Sequence, residues 1–323
     1  LGHLKQLQLL SAAGSRVTDD GLAVVKNFPE LKHLDLRSSC IRGPGLVHLK
    51  SLRHLEELVL TQNELTDDCL PDLLELPALK IVSLDATLIE DLFVLKNRGI
   101  IVADVETNVT LDLSQIPQAM AGTWPKIQGL SSQPDTQVQM ISPPDGRVTS
   151  LRVRGAKLKL QDLKSIVELT DLQNLDLAVS RFPDLAALDE LRSLRDLRRI
   201  DLSRTAARDV LSLDPNWFRQ IESLHLRSAG LVDDDLKSLA KRFPKLRILD
   251  LSRNKLTDDV LPSLLECDGL EQLSLAQTSL SSRGIQQLES LPKLRFLDLR
   301  DTNIDEGHVR SFEENRPRVR VIR

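Results

Sequence analysis

The chain has 323 residues, 41% hydrophobic and 28% charged, which is enough for a large core and is the composition of a folded protein. Its formal net charge of −4 argues against a nucleic-acid-binding surface, and no apolar run reaches the length of a membrane span. Aromatics make up 3% with no tyrosine, so leucine, isoleucine and valine must fill the core. Cys40, Cys69 and Cys267 form no CxxC metal pair and read as free thiols. Their odd number leans toward a cytoplasmic compartment, which the sequence does not otherwise fix.

The first residues, Leu1-Gly2-His3-Leu4, read as the end of one unit entering the next strand, which predicts that further chain precedes them. A leucine pattern LxxLxL then starts at Leu4, Leu31, Leu55 and Leu79, spaced by 27, 24 and 24 residues. The longer first spacing predicts extra loop residues at Ser11 to Ser15. Residues 1–105 form this first block, four repeats closed by a strand-like stretch, Ile100 to Val105.

Residues 106–147 break the pattern with Pro117, Pro125, Pro134, Pro143 and Pro144 and predict a linker. The 48 residues from Ile100 to Val148 also leave room for one degraded repeat around Trp124 to Leu130. Asn108-Val109-Thr110 is a formal glycosylation sequon that carries little weight without a secretory signal. Residues 148–323 form a second block with units at Val148, Leu172, Leu197, Ile221, Leu246, Leu270 and Leu294, closed by Val319 to Ile322.

One unit, Leu246 to Gly269, shows the anatomy. Leu246, Leu249 and Leu251 sit on one side of a short strand, with Ile248, Asp250 and Ser252 on the other. Thr257-Asp258-Asp259 offers oxygens to the first N–H groups of a helix, and Leu261, Leu264 and Leu265 make a helical stripe. Thr18-Asp19-Asp20 and Thr66-Asp67-Asp68 repeat that helix start. Capping explains these Asp pairs, which lack the alternating ligands and terminal glutamate of a calcium loop. A unit with an apolar strand side and an apolar helix stripe is stable only when stacked on others of its kind.

The motif LxxLxLxx(N/T/S)xLTDDxLxxLxxLPx resembles the leucine-rich repeat, over about 280 residues and eleven copies. It is similar to the 24-residue bacterial type and to the longer cysteine-containing and ribonuclease-inhibitor-like repeats. The resemblance implies an α/β solenoid with a parallel sheet on the concave side and helices on the convex side, acting in protein recognition. The family's asparagine stands at Asn63 and Asn254, whereas Thr87, Thr205, Thr278 and Thr302 replace it elsewhere. Ala156 and Ala229 have no side chain with which to bridge strands, which predicts weak points there.

Alternation places Arg152, Asp176, Asp201, His225, Asp250, Ser274 and Asp298 along the middle of the concave face. Two residues further along each strand stand Arg154, Ala178, Ser203, Arg227, Ser252, Ala276 and Arg300. Asp201, His225 and Asp250 form the one acid/base-like row, open to two readings: a metal or general acid/base site, or a mixed-charge surface neutralised by Arg204, Arg227 and Arg253. A flat open sheet lacks the enclosed pocket that chemistry needs, which favours the second. No phosphate loop, nucleophile elbow or zinc helix occurs, and His33, His48 and His54 do not converge.

These features predict a non-enzymatic module that binds a protein partner through its concave face. They predict no catalytic residues, cofactor, metal, nucleic acid or small-molecule substrate. The expected contact residues are Asp176, Asp201, His225, Arg227, Ile248, Asp250, Arg253, Phe296, Asp298 and Arg300. Two other classes remain open: the recognition part of a longer enzyme or receptor, such as a ubiquitin-ligase adaptor or a kinase, and a structural envelope scaffold.

Overall fold

The structure is a computed structural model. It describes residues 5–61, 63, 65, 67–84, 89, 95, 98, 100–103, 126–127, 129–133, 136–141, 147–182, 185–206, 208 and 219–323. Thr66, Thr87, Trp124, the sequon Asn108 to Thr110 and the five prolines of the expected linker lie outside the described residues.

Two compact units are formed, Leu1–Pro117 with Ile141–Arg147, and Gln118–Met140 with Val148–Arg323. The first holds a five-stranded sheet in sequential order: β1 (Leu9–Ser11), β2 (His33–Asp35), β3 (Glu57–Val59), β4 (Ile81–Ser83) and β5 (Ile101–Ala103). A nine-stranded sheet also runs in sequential order, opening with β6 (Gln137–Ile141) and β7 (Ser150–Arg154), then β8 (Asn174–Asp176) and β9 (Arg199–Asp201). It continues through β10 (Ser223–His225), β11 (Ile248–Asp250), β12 (Gln272–Ser274), β13 (Phe296–Asp298) and β14 (Arg320–Ile322). The repeat strands pair in parallel, as in a chain whose every strand is followed by a crossover on the same side.

Register stacks like on like. Leu10, Leu34, Leu58, Val82 and Val102 are direct partners in the first sheet. In the second, Leu151, Leu175, Ile200, Leu224, Leu249, Leu273, Leu297 and Val321 form one ladder. Leu175, Leu224, Leu249 and Leu273 are almost wholly buried, so each repeat supplies the wall against which its neighbour packs. Cys69 and Cys267 are buried and Cys40 is half-buried, none of them in a disulfide. Burial, with Glu266 and Asp268 beside it, pushes the Cys267 thiol up to about 12, so it is an inert packing group.

Four features differ from the sequence expectation. The first repeat starts at Leu7, because Leu10 and not Leu7 pairs with Leu34. Its spacing to Leu31 is then 24, and Ser11 to Ser15 contain no insertion. Leu4, Leu7, Leu9 and Leu10 offer two overlapping frames. The frame adopted puts Gly14, with φ of 65°, where the next repeat has Ser38 at φ 50°. That left-handed position suits glycine.

The second difference is on the helical side. Much of it is 3-10 helix, as over Asp20–Asn27, Pro44–Ser51 and Leu185–Ser193, with short α-turns such as Leu261–Leu265. A 24-residue unit leaves few residues to span each turn, and the 3-10 form covers more length per residue. Leu261 and Leu264 are buried but Leu265 is only partly so. Cys267 fills the inward position instead.

Third, the aspartates reach forward to the next repeat. Asp19 accepts from the backbone N–H groups of Arg42 (2.9 Å), Gly43 (3.0 Å) and Gly45 (2.8 Å). Asp233 accepts from Thr257 N–H at 2.9 Å, and Asp258 from Ser281 N–H at 2.8 Å. In the repeat that has serine at this position, Ser282 Oγ accepts from Asp305 N–H at 3.0 Å. Capping by the adjacent threonine is present too, since Thr257 Oγ1 accepts from Asp259 N–H at 3.2 Å. The carboxylate one residue on is a tie between repeats. Gly45 is required beside the first tie, because a Cβ there would lie 2.5 Å from the Asp19 backbone.

Fourth, Ala156 and Ala229 are not weak points, because the bridging side chain acts backward from the following repeat. Asn254 Oδ1 accepts from Ala229 N–H (3.0 Å) and Leu231 N–H (3.1 Å). Its Nδ2 donates to Leu226 O and Leu251 O, both at 2.8 Å. Ser180 Oγ accepts from Ala156 N–H at 3.3 Å and donates to Val153 O at 2.9 Å. By contrast Thr205, Thr278 and Thr302 donate only within their own repeat, to Leu202 O, Leu275 O and Leu299 O.

Residues of the expected linker also reach the second unit's first repeat. Ile127 and Leu130 are buried, and Gln133 Oε1 accepts from Lys157 N–H at 2.8 Å. That side-chain amide serves the Lys157 backbone on the side opposite its bridge to Arg181.

Candidate sheet-face site

The face of the second sheet turned away from the core is built by positions two, four and six after the first leucine of each repeat. Its middle row carries Arg152, Asp176, Asp201, His225, Asp250, Ser274 and Asp298, in direct register from strand to strand. Each aspartate folds back on its own strand. Asp176 Oδ1 accepts from Ala178 N–H (3.0 Å), Asp201 from Ser203 (2.8 Å), Asp250 from Ser252 (2.8 Å) and Asp298 from Arg300 (3.2 Å). Asp35 does the same with Arg37 at 3.1 Å in the first sheet. These bonds fix the strand's exit and explain why aspartate recurs there.

The row is not an open surface. Asp176, Asp201, His225 and Asp298 are buried, and Asp250 is half-buried. Their counter-charges are also not those expected. Asp176 is held by Arg152 (3.0 Å) and Arg154 (2.7 Å), and Asp201 by Arg154 (3.4 Å) and Arg199 (3.8 Å). Arg300 grips Asp298 at 2.7 Å. Arg204 and Arg253 lie on the left-handed turn after their strands, with φ of 56° and 58°, and form no ion pair among the described residues. Of the three expected neutralisers only Arg227 acts on the row, where it favours the charged form of Asp250.

His225 stands between two carboxylates with opposite fates. Its Nε2 lies 3.0 Å from Ser223 Oγ. Burial pushes the Asp201 carboxyl up, but His225, Arg199, Arg154 and the Ser203 bond outweigh it and hold it below the usual range. Burial wins at Asp250, which is raised despite His225, Ser252 and Arg227. The consequences for stability have opposite signs. A lowered carboxyl stabilises the fold above its unfolded pKa, and this contribution is lost as pH falls through its folded value. A raised carboxyl subtracts stability once ionised, a penalty that disappears below its unfolded pKa. Asp201→Asn is therefore expected to lower Tm at neutral pH and to lose that effect as pH falls below the usual carboxylate range. Asp250→Asn is expected to leave Tm unchanged or raise it, since an amide oxygen still accepts from Ser252. Thermal melts of both variants across that range check the pair; equal losses would contradict the assignment.

No group of three or more His, Cys, Asp or Glu side chains is placed to hold a metal among the described residues. Most of the half-exposed residues of the face lie toward its C-terminal end, with Arg154 and Asn174 the exceptions among the described residues. Ile248, Gln272 and Phe296 are successive partners in one row. Arg227, Asp250 and Arg300 flank it half-exposed, and Arg253 is exposed.

A charge ladder that the sequence reading missed runs one residue after each first leucine. Glu56 pairs with Lys80 (2.9 Å), and Arg247 pairs with Glu222 (3.6 Å) and Glu271 (3.0 Å). Arg198 lies 3.9 Å from Glu222. The signal was present as alternating sign at the repeat spacing: Lys32, Glu56, Lys80, and Arg198, Glu222, Arg247, Glu271, Arg295.

No helix among the described residues is long and apolar enough to cross a membrane. Residues 245–267 match the family profile described as Leucine Rich Repeat, and residues 51–68 match a second described as Leucine Rich repeat. The tubulin-specific chaperone E of Danio rerio is 27% identical over 198 residues, which cover 57% of this chain and 36% of that protein. The match thus spans little more than a third of that relative's length. Among solved structures, an internalin C2 of Listeria monocytogenes is similar with a TM-score of 0.40 and 22% identity, over 55% of this chain and 71% of that one. An internalin F from the same species gives 0.37 and 18%, over 99% and 87%.

Proposed function

We propose, from the premise that this chain is a leucine-rich-repeat protein, that it is a non-enzymatic module holding a protein partner against the outward face of its second sheet. The observation that carries this reading is the division of labour on that face. Asp176, Asp201, His225 and Asp298 are buried and engaged with neighbouring arginines, serines and backbone, so they fix the surface. Ile248 and Phe296 stand half-exposed two strands apart, with Arg227, Arg253 and Arg300 around them. A few large side chains amid arginines, on a rigid base, is the composition of an interface centre. The residues expected to touch the partner are thus the accessible members of the set, with the buried ones supporting them.

The name of the curated relative makes tubulin the first partner to test. The same surface serves if the chain is one part of a longer protein. The experiment is affinity capture from cell extract, with purified tubulin in parallel, comparing the unaltered chain with Arg227→Glu/Arg253→Asn. Asparagine is chosen at position 253 because it tolerates the left-handed backbone there. Retention of a protein by the unaltered chain is expected to fall about tenfold or more in the variant, with an unchanged melting curve. Equal retention by both would remove this face as the binding surface.

A further inference from the structure

At the edge of the sheet face and on the turns that leave the strands lies a band of cations that make no ion pair within the fold among the described residues. It comprises Lys157, Arg181, Arg204, Arg227, Arg253 and Lys255, drawn from five consecutive repeats. All are exposed except Arg227, which is half-exposed. The backbones place them side by side: Lys157 bridges Arg181, Arg204 N–H donates to Arg227 O at 2.7 Å, and Ser228 N–H donates to Ser252 O at 2.9 Å. None of the six side chains makes an ion pair or side-chain hydrogen bond among the described residues, whereas Arg192, Arg208, Lys237 and Arg247 elsewhere on this unit's surface do.

Four acids of the same repeats are engaged with other groups. Asp233 and Asp258 tie the next repeat's backbone, Asp235 holds Arg208, and Asp234 holds Lys237. On the C-terminal side the band ends where Gln277 donates to Asp301 at 2.8 Å. Arg204 and Arg253 sit at positive φ on the turn, at a position held in other repeats by residues as different as Gly155, Val179, Ser228 and Gln277, so the turn itself does not call for a cation there.

We propose that this band is a docking strip for an acidic protein segment in extended conformation. The proposal rests on the protein-binding reading and adds the partner's chemistry. Five strands at about 4.8 Å spacing span roughly 19 Å, the length of about six extended residues. An acidic peptide fits better than a nucleic acid. The six members of the band include no aromatic on which a base would stack.

The test is fluorescence anisotropy of the full chain with a labelled oligoglutamate of about eight residues, beside an oligolysine and a single-stranded oligothymidylate of similar length. Oligoglutamate is expected to bind, more weakly as salt rises. The variant Arg181→Gln/Arg204→Asn/Arg253→Asn is expected to weaken it about tenfold or more. A matched loss of charge outside the band, Lys241→Gln/Lys245→Gln/Lys293→Gln, is expected to change it by less than about twofold. Absence of oligoglutamate binding, an equal loss in both variants, or tighter binding of either other probe would overturn the proposal. Ile248→Ala/Phe296→Ala separates it from the broader reading. That variant is expected to bind oligoglutamate normally while losing the captured protein. If the unaltered chain retains its partner without binding oligoglutamate, the docking strip fails and the binding module stands.

Discussion

Asn254→Ala is expected to destabilise the second unit by about 3–5 kcal/mol in urea unfolding, although it removes no apolar contact. The side chain is buried and holds two repeats at once. Removing it orphans the N–H groups of Ala229 and Leu231 and the carbonyl of Leu226 in the preceding repeat, besides Leu251 O in its own. Each buried unsatisfied group costs about 1–3 kcal/mol, moderated by local relaxation. Thr278→Ala is the internal comparison. That threonine bonds only Leu275 O, so its loss is expected to cost about 1 kcal/mol. Similar losses in the two variants would mean that the Asn254 bridge is not what joins its repeats.

Leu249→Ala is expected to cost about 2–5 kcal/mol by opening a cavity inside the leucine ladder. The side chain is 1% exposed, with Leu224 and Leu273 as its direct partners on the adjacent strands. Both neighbours lose contacts together, because a stacked array has no second core to take up the slack. Val321 occupies the same position on the last strand and is only half-buried, so Val321→Ala is expected to cost about 1 kcal/mol or less. Equal effects at the two positions would argue against a ladder with an interior and an end.

The repeat, its strand positions and the core leucines were legible because the period is short, the copies are many and every strand alternates. The first repeat was misread because Leu4, Leu7, Leu9 and Leu10 fit two frames, and the positive φ at Gly14 that separates them is a backbone property. The aspartate ties were hidden for a different reason. Asp19, Asp233 and Asp258 stand where a helix cap would stand, and only the neighbouring repeat reveals their acceptor role. The candidate face was legible in position but not in burial. Asp176, Asp201 and His225 alternate correctly onto it, yet they are engaged and shielded rather than offered to a partner. Arginines 204 and 253 likewise belong to the turn, which one residue of register separates from the strand face.

The central claim is that the outward face of the second sheet is the binding surface. Its most direct test is backbone hydrogen exchange of the full chain with and without the captured protein. Added protection is expected in β10 to β13 and the turns that follow them, covering Arg227, Ile248, Arg253 and Phe296. Protection confined to the helical side, over segments such as Asp258–Leu265 and Ser282–Ser290, would contradict the account.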